Sequence, residues 1–311
     1  MFGRVVHCDW SLHARGRWMA AAHRGLDGAW QASGPDPVPD PAALARDLAA
    51  SAEAVPTLAA FDFPIGFPAG FGARTGFGDF PAALDAIGRG EWPELFDVAS
   101  VPGEVGARRP FYPARPGGTR LGHLLDGHGV ASVADLVRAC ERAGPDSGPA
   151  GCMFWTLGAK QVGKAALLGW RDVIVPARRA GARLWPFDGD FATLAGQGGL
   201  VLAESYPADA YGQIGVSVRS KRDRGLRASL APRLLDWAAA RDIRPDAGLA
   251  AAMLSGFPPG TGGDDGFDAV LGLLAAVAVA RGERPAGPPE TQAMRLWEGW
   301  ILGKRPGRDG G

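Results

Sequence analysis

The first sixty residues alternate between apolar runs and short polar breaks in a way that predicts three strands, a helix and a fourth strand. Val5-Val6-His7-Cys8 is an apolar run that closes on Asp9, with Ser11 two residues beyond. A second strand is expected over 17–23 and a third over 29–33. Gly16 and the Leu26-Asp27-Gly28 turn separate them, which suits an antiparallel meander. Leu44, Leu48 and Ala52 then recur at helical spacing within 39–54, with Asp40 before Pro41 as a cap and first-turn proline. From Thr57 to Phe63 every position except Asp62 is apolar, the pattern of a parallel strand buried on both faces.

This pattern breaks down over residues 64–182. Pro64 to Gly78 is rich in Gly, Pro and Phe and reads as a long structured loop. Short helical pieces are expected at 81–87 and 92–100. An arginine-rich loop from Arg108 to Arg115 follows, then a helix over 132–143. Regular structure resumes with strands at 183–187 and 200–205 and helices at 223–241, 245–254, 265–281 and 289–300. The division expected is a core formed by 1–63 and 183–303, an inserted cap at 64–182 and a flexible polar tail at 304–311.

Composition adds mainly exclusions. A chain of 311 residues, 46% hydrophobic and 21% charged, can bury a full core. Its 33 basic and 33 acidic residues balance, which removes the case for a broadly basic surface while leaving a local basic groove open. The three cysteines (Cys8, Cys140, Cys152) have no zinc spacing and imply no disulfide framework. The N-terminus has no signal-peptide pattern, and the longest apolar run (269–280) is too short for a bilayer. A reducing cytoplasm is the expected setting, with no membrane partner.

The chemistry is in the acids that end the apolar segments. Asp9 and Asp62 would sit at the carboxyl ends of neighbouring parallel strands, where open α/β sheets place their sites. Glu204 ends a further strand, and Asp265 and Asp268 lie three apart at the start of an apolar helix, on one face. Such a gathering repels itself unless a cation sits within it, and hard divalent metals take oxygen ligands. Each acid also has an ordinary explanation. Asp265 suits a helix N-terminus, Asp9 could close an Asx turn, and Glu204 could pair with an arginine such as Arg227. Jointly these are weaker, because each acid ends a buried apolar segment.

The stretches Cys8-Asp9-Trp10-Ser11, Phe61-Asp62-Phe63-Pro64-Ile65-Gly66-Phe67-Pro68, Phe154-Trp155 with Gln161-Val162-Gly163-Lys164, Trp185-Pro186-Phe187, Glu204-Ser205-Tyr206-Pro207, 265–268 and Glu298-Gly299-Trp300-Ile301-Leu302-Gly303 run in order along almost the whole chain. In them the sequence resembles the DUF429 family, described as predicted nucleases with a ribonuclease H-like fold. The resemblance implies an α/β protein with a ribonuclease H-like mixed sheet flanked by helices and, here, a large mostly helical insertion. It also implies that Asp9, Asp62, Glu204 and Asp268 are catalytic metal ligands, with Asp265 a fifth candidate similar to the paired acids on the last helix of RuvC-like resolvases. The insertion departs from a minimal ribonuclease H domain and argues against long-duplex access.

Substrate contacts are expected from basic and aromatic residues. Arg219, Lys221, Arg222, Arg224, Arg227 and Arg233 crowd into 15 residues, and Lys221, Arg222 and Arg227 are the candidates for neutralising phosphate. A solvated helix face with acidic partners is the plain alternative. Arg109 could form the other wall and Trp155 could stack a base, although core packing is the commoner fate of a tryptophan. Residues 158–165 nearly match a phosphate loop, but Ala165 replaces the metal-binding hydroxyl, leaving Lys160 and Lys164 as phosphate contacts from a helix start. The function expected is a Mg²⁺- or Mn²⁺-dependent phosphodiester hydrolase acting on short or single-stranded nucleic acid or a nucleotide. A small-molecule enzyme on the same metal-binding fold and a catalytically silent binding module are the alternatives.

Overall fold

The computed structural model describes residues 1–157, 162–288 and 291–307. It is an α/β protein built on one seven-stranded mixed sheet in the order β5-β6-β4-β1-β2-β3-β7. The strands are β1 (Arg4–Asp9), β2 (Trp18–Arg24), β3 (Trp30–Pro37), β4 (Thr57–Phe61), β5 (Arg183–Leu184), β6 (Leu200–Glu204) and β7 (Ile243–Pro245). β1, β2 and β3 form an antiparallel meander, while β4 pairs parallel with β1, β6 with β4, β5 with β6 and β7 with β3. The first four expected strands are all present, as are β5 and β6.

The helices are α1 (Pro41–Ala54), α2 (Ala69–Gly72), α3 (Phe80–Arg89), α4 (Leu121–His128), α5 (Val162–Gly169), α6 (Val175–Arg179), α7 (Phe191–Gln197), α8 (Pro207–Ile214), α9 (Arg224–Ala239), α10 (Ala247–Leu254) and α11 (Gly263–Ala280). Asp40 caps α1, accepting from the Ala42 and Ala43 amides, with Pro41 at the first position as its sequence suggests. α11 is the central helix of the other layer: from Gly266 to Val279 every residue is buried. No helix among the described residues is long and apolar enough to cross a membrane.

Two apolar clusters lie on opposite faces of the sheet. One joins Val5, Leu58, Ala60, Val201 and Ala203 to α9, α10 and α11. The other joins Val6, Cys8, Ala59, Phe61 and Leu202 to α1 and to the aromatics of 64–182, among them Phe67, Phe71, Phe80, Trp92, Phe154 and Trp170. The middle segment therefore supplies most of one covering layer. Its helices are not the ones expected. The helix read over 132–143 is two 3-10 turns, Val133–Leu136 and Ala139–Glu141. Asp135 accepts from the Ser132 amide (2.9 Å) and Glu141 from the Arg138 amide (2.8 Å), so local side-chain bonds replace a continuous helical ladder. The helix read over 92–100 shrinks likewise to the turn Pro93–Phe96. At the far end, Met294–Glu298 forms a single π turn. Lys304, expected in a flexible tail, is buried against Ser147 and Asp209, and Arg305 bonds Asp146 at 2.6 Å; residues 308–311 lie outside the described set.

One close approach fixes α11 on β1. The His7 ring lies against Gly272, where a Cβ would fall 2.1 Å from the imidazole, and His7 Nδ1 donates to the Ala269 carbonyl at 3.0 Å. Burial, opposed by that bond, holds His7 down to about 4, so the ring is neutral. Gly272→Ala must push the helix off the strand. We expect it to cost about 1–3 kcal/mol, as overpacking does, read as a lower denaturant midpoint.

Candidate active site

Side-chain alternation decides which acids meet. On β1, Val5 faces the α11 side and Val6 and Cys8 the other, so His7 and Asp9 face α11. On β4, Leu58 and Ala60 face α11, and the next residue in that phase is Asp62. The Asp62 amide donates to Cys8 O at 3.0 Å, continuing the parallel ladder and setting Asp62 beside Asp9. On β6, Val201 and Ala203 face α11, which turns Glu204 to the opposite side and brings Ser205 beside Asp62 instead.

Asp9, Asp62 and Asp268 form the cluster. Asp9 is 6% exposed and Asp268 3%, while Asp62 keeps a little solvent access along a cavity wall. Burial, then the charges of Asp268 and Asp62, push Asp9 far above the usual carboxylate range. Burial and Asp268 raise Asp62 to about 8, and Asp62 shares a hydrogen bond with Asp9. Asp265 is half-buried over the Ala14–Gly16 turn and is raised to about 6 by burial and by Asp264.

Asp268 has partners the sequence reading did not foresee. The Tyr211 hydroxyl donates to one carboxylate oxygen and the Lys221 ammonium to the other. Burial alone would lower Lys221, but Asp268 more than offsets it and the ammonium stays charged. Tyr211 is on α8, which begins at Pro207 and runs only eight residues, too short for a clear periodic signal. Ser205 Oγ is buried here without a hydrogen-bond partner. Asp62, Tyr206, Tyr211, Lys221 and Asp268, with Gly151 and Val162 of the middle segment, line a cavity of about 320 Å³. A separate cavity of about 580 Å³, between Arg74, Arg142 and Glu298, is lined by none of these acids.

Glu204 lies in a different environment. Fully buried Arg138 grips it with both terminal nitrogens at 2.6 and 2.7 Å, and the Ile65 amide donates at 2.6 Å. The other Arg138 donors go to Glu141 (3.1 and 3.0 Å) and to Glu298 O (3.0 Å), so all five N–H groups are used. An arginine does pair with Glu204, but it is Arg138 and not Arg227.

The expected substrate contacts disperse. Arg227 is buried, donating to the carbonyls of Gly256 (2.9 Å), Phe257 (3.1 Å) and Lys221, which fixes the loop that presents Lys221. Arg109 pairs with Asp97 (3.2 Å) and Glu104 (3.4 Å). Lys164 donates to Ala114 O at 2.9 Å, and Gly163 is required because a Cβ would fall 1.9 Å from Met153 O; packing, and not phosphate, accounts for that glycine. Trp155 is half-buried against Tyr112. Lys160 lies outside the described residues. Arg222 is exposed, close to the cluster.

The oxygen donors of Asp9 and Asp62 suit a hard divalent cation. Among the described residues, however, no three His, Cys, Asp or Glu side chains are disposed to hold a metal as they stand. The Lys221 ammonium sits beside Asp268, where it supplies the positive charge. Its side chain is 42% exposed. Comparison with protein-family models, with curated proteins and with solved structures finds no match.

Two predictions follow from these charges. Between the ordinary carboxylate value of about 4 and the folded value of about 8, the folded state keeps a proton that the unfolded chain has lost. That contribution to stability therefore falls as pH rises through the window, while buried His7 acts in the opposite sense between about 4 and 6.5. Asp62→Asn removes the Asp62 share of the first effect and relieves Asp9 of one neighbouring charge, while leaving His7 untouched. In metal-free buffer it should raise the melting temperature more at pH 8 than at pH 5, and equal shifts would argue against the crowding. Arg138→Ala strands Glu204 and Glu141 in the interior and should cost about 3–5 kcal/mol in chemical denaturation.

Proposed function

We propose that the chain is a divalent-metal-dependent phosphodiester hydrolase with a ribonuclease H-like core. The observation that carries this reading is the pairing of Asp9 and Asp62 at the ends of adjacent parallel strands, with Asp268 facing them from the helix packed on those strands. The sheet supports it: an antiparallel β1-β2-β3 meander continued by parallel β4 and β6 is the arrangement the DUF429 resemblance implies. Mg²⁺ or Mn²⁺ is the cofactor of this reading, and Asp9, Asp62 and Asp268 are the residues that would hold it, Asp268 once free of Lys221. Such an ion, when bound, polarises phosphoryl oxygens and acidifies a water.

The chain's own groups do the rest. Asp9 and Asp62, crowded together and both raised, would both be carboxylates only with positive charge beside them. Lys221, released from Asp268, reaches into the cavity and meets phosphate charge. Tyr211 holds Asp268 in place, and Tyr206 forms an apolar wall with a polar tip. Glu204, saturated by Arg138, acts in this reading as a positioning residue that ties the middle segment to the end of β6.

The Lys221–Asp268 ion pair also favours a second reading, a silent module in which a fixed ammonium has replaced the metal. Titration calorimetry with Mn²⁺ separates the two. The hydrolase reading expects binding that Asp9→Asn weakens at least about tenfold and that Lys221→Met leaves intact or tightens. It also expects cleavage within a panel of oligonucleotides and nucleotides that both variants lose. Absence of Mn²⁺ binding together with absence of cleavage would leave the silent module.

A further inference from the structure

A second cavity, of about 440 Å³, opens on the other side of the acids and is lined by Arg15, Trp18, Arg222, Arg224, Arg227 and Asp264, with Phe257 and the 259–263 loop. Its charge is one-sided, with four guanidinium groups and one carboxylate in a chain whose total charge is zero. Arg227 is spent on carbonyls and Arg224 gives its Nε to Ser255 O at 2.7 Å. Arg15 and Arg222 are exposed, and among the described residues neither side chain has a hydrogen-bond or ion-pair partner. Most other arginines here do, including Arg89, Arg108, Arg109 and Arg244.

Trp18 ties this cavity to the acids. It is the direct cross-strand partner of Asp9, and its ring rests on Gly262, where a Cβ would fall 2.6 Å away. The ring stays half-exposed and its Nε1 donates to Arg15 O at 3.0 Å, so tryptophan and arginine are held together. Asp264 and Asp268, one helical turn apart on α11, line the arginine cavity and the acidic cavity respectively. The two spaces therefore flank one helix end, with Lys221 between Asp268 and Arg222.

Resting on the hydrolase reading, we propose that the arginine cavity is a second nucleotide subsite. Arg15 and Arg222 bind the phosphate next to the one at the acids, and Trp18 stacks the attached base. The substrate is then a single-stranded oligonucleotide of two or more residues, and a free mononucleotide fills only half of the site. Unpartnered arginines beside a half-exposed aromatic ring match the alternating phosphate and base of a single strand.

The test is fluorescence polarisation of a labelled eight-residue oligothymidylate on the full chain, with Ca²⁺ present and the probe's integrity checked on a gel. Arg15→Ala/Arg222→Ala should weaken binding about tenfold at low salt and flatten the plot of log affinity against log salt by about 1.4, for two single-strand phosphate contacts. Competition by thymidine monophosphate should stay within twofold, and Arg89→Ala/Arg108→Ala, which removes equal charge elsewhere, should bind as the unaltered chain does. No binding of the oligomer, unchanged binding by the first pair, or an equal loss in the control pair overturns the subsite. The two readings fail separately. Arginine-dependent binding by a chain that takes no Mn²⁺ keeps the subsite and removes the hydrolase. Mn²⁺-dependent cleavage indifferent to Arg15 and Arg222 does the reverse.

Discussion

Three carboxylates packed into one desolvated corner are the constraint on which the arrangement around them depends. Asp9, Asp62 and Asp268 cannot all carry charge there without a counter-charge, and in the structure that charge is Lys221. Much of the surrounding chain serves to hold Lys221 and Asp268 in register. Arg227 clamps the backbone of Lys221 to the loop after α10, whose Phe257 takes a positive φ of 54°. His7 and Gly272 seat α11 on β1, so the phase of the helix that carries Asp268 is set by packing within about one turn of the acid itself. A corner this costly has little value as a stability device, because apolar replacements would pack at less expense. On the reading proposed above, it is a place kept for an exchangeable positive charge.

The strand ends were legible in the sequence because each acid interrupts an apolar run, and the register of β1 with β4 turns that reading into adjacency. The direction in which Glu204 points was not legible. Leu200 to Ala203 is apolar throughout because β6 is buried on both faces, so nothing in that stretch distinguishes one side from the other. The phase emerges only once β6 is aligned with β4, where Glu204 pairs with Phe61 and not with Asp62. An acid that ends a doubly buried strand can thus belong to either layer; here the register decides it and Arg138 meets the acid there.

Arg138 itself was hidden for a related reason. Residues 132–143 carry helical spacing, but Asp135 and Glu141 bond back to amides three residues earlier and break the segment into two capped turns. The guanidinium emerges between them into the interior. No local pattern announces that its partners are Glu204 and Glu298, 66 and 160 positions away. The same holds for Arg109, Lys164 and Trp155, whose residue types suit nucleic-acid contact but whose neighbours within the middle segment already satisfy them. Residue type was a sound guide at the sheet, where topology restricts the choices, and a poor one in a segment with few regular elements.

Net charge misleads here in an instructive way. Equal numbers of acids and bases exclude a broad polyanion-binding face, yet the charges are sorted over a short distance, with acids at the ends of β1 and β4 and unpartnered arginines one strand away beside Trp18. Adjacent anionic and cationic pockets are poorly matched to a single small anion, which the acids would repel and the arginines would hold out of reach of them. On the proposed reading they would suit a ligand that carries several negative charges along its length, one offered to the arginines while a cation screens another at the acids. Lys221, bonded to Asp268 yet partly free in solvent, sits where these two fields meet.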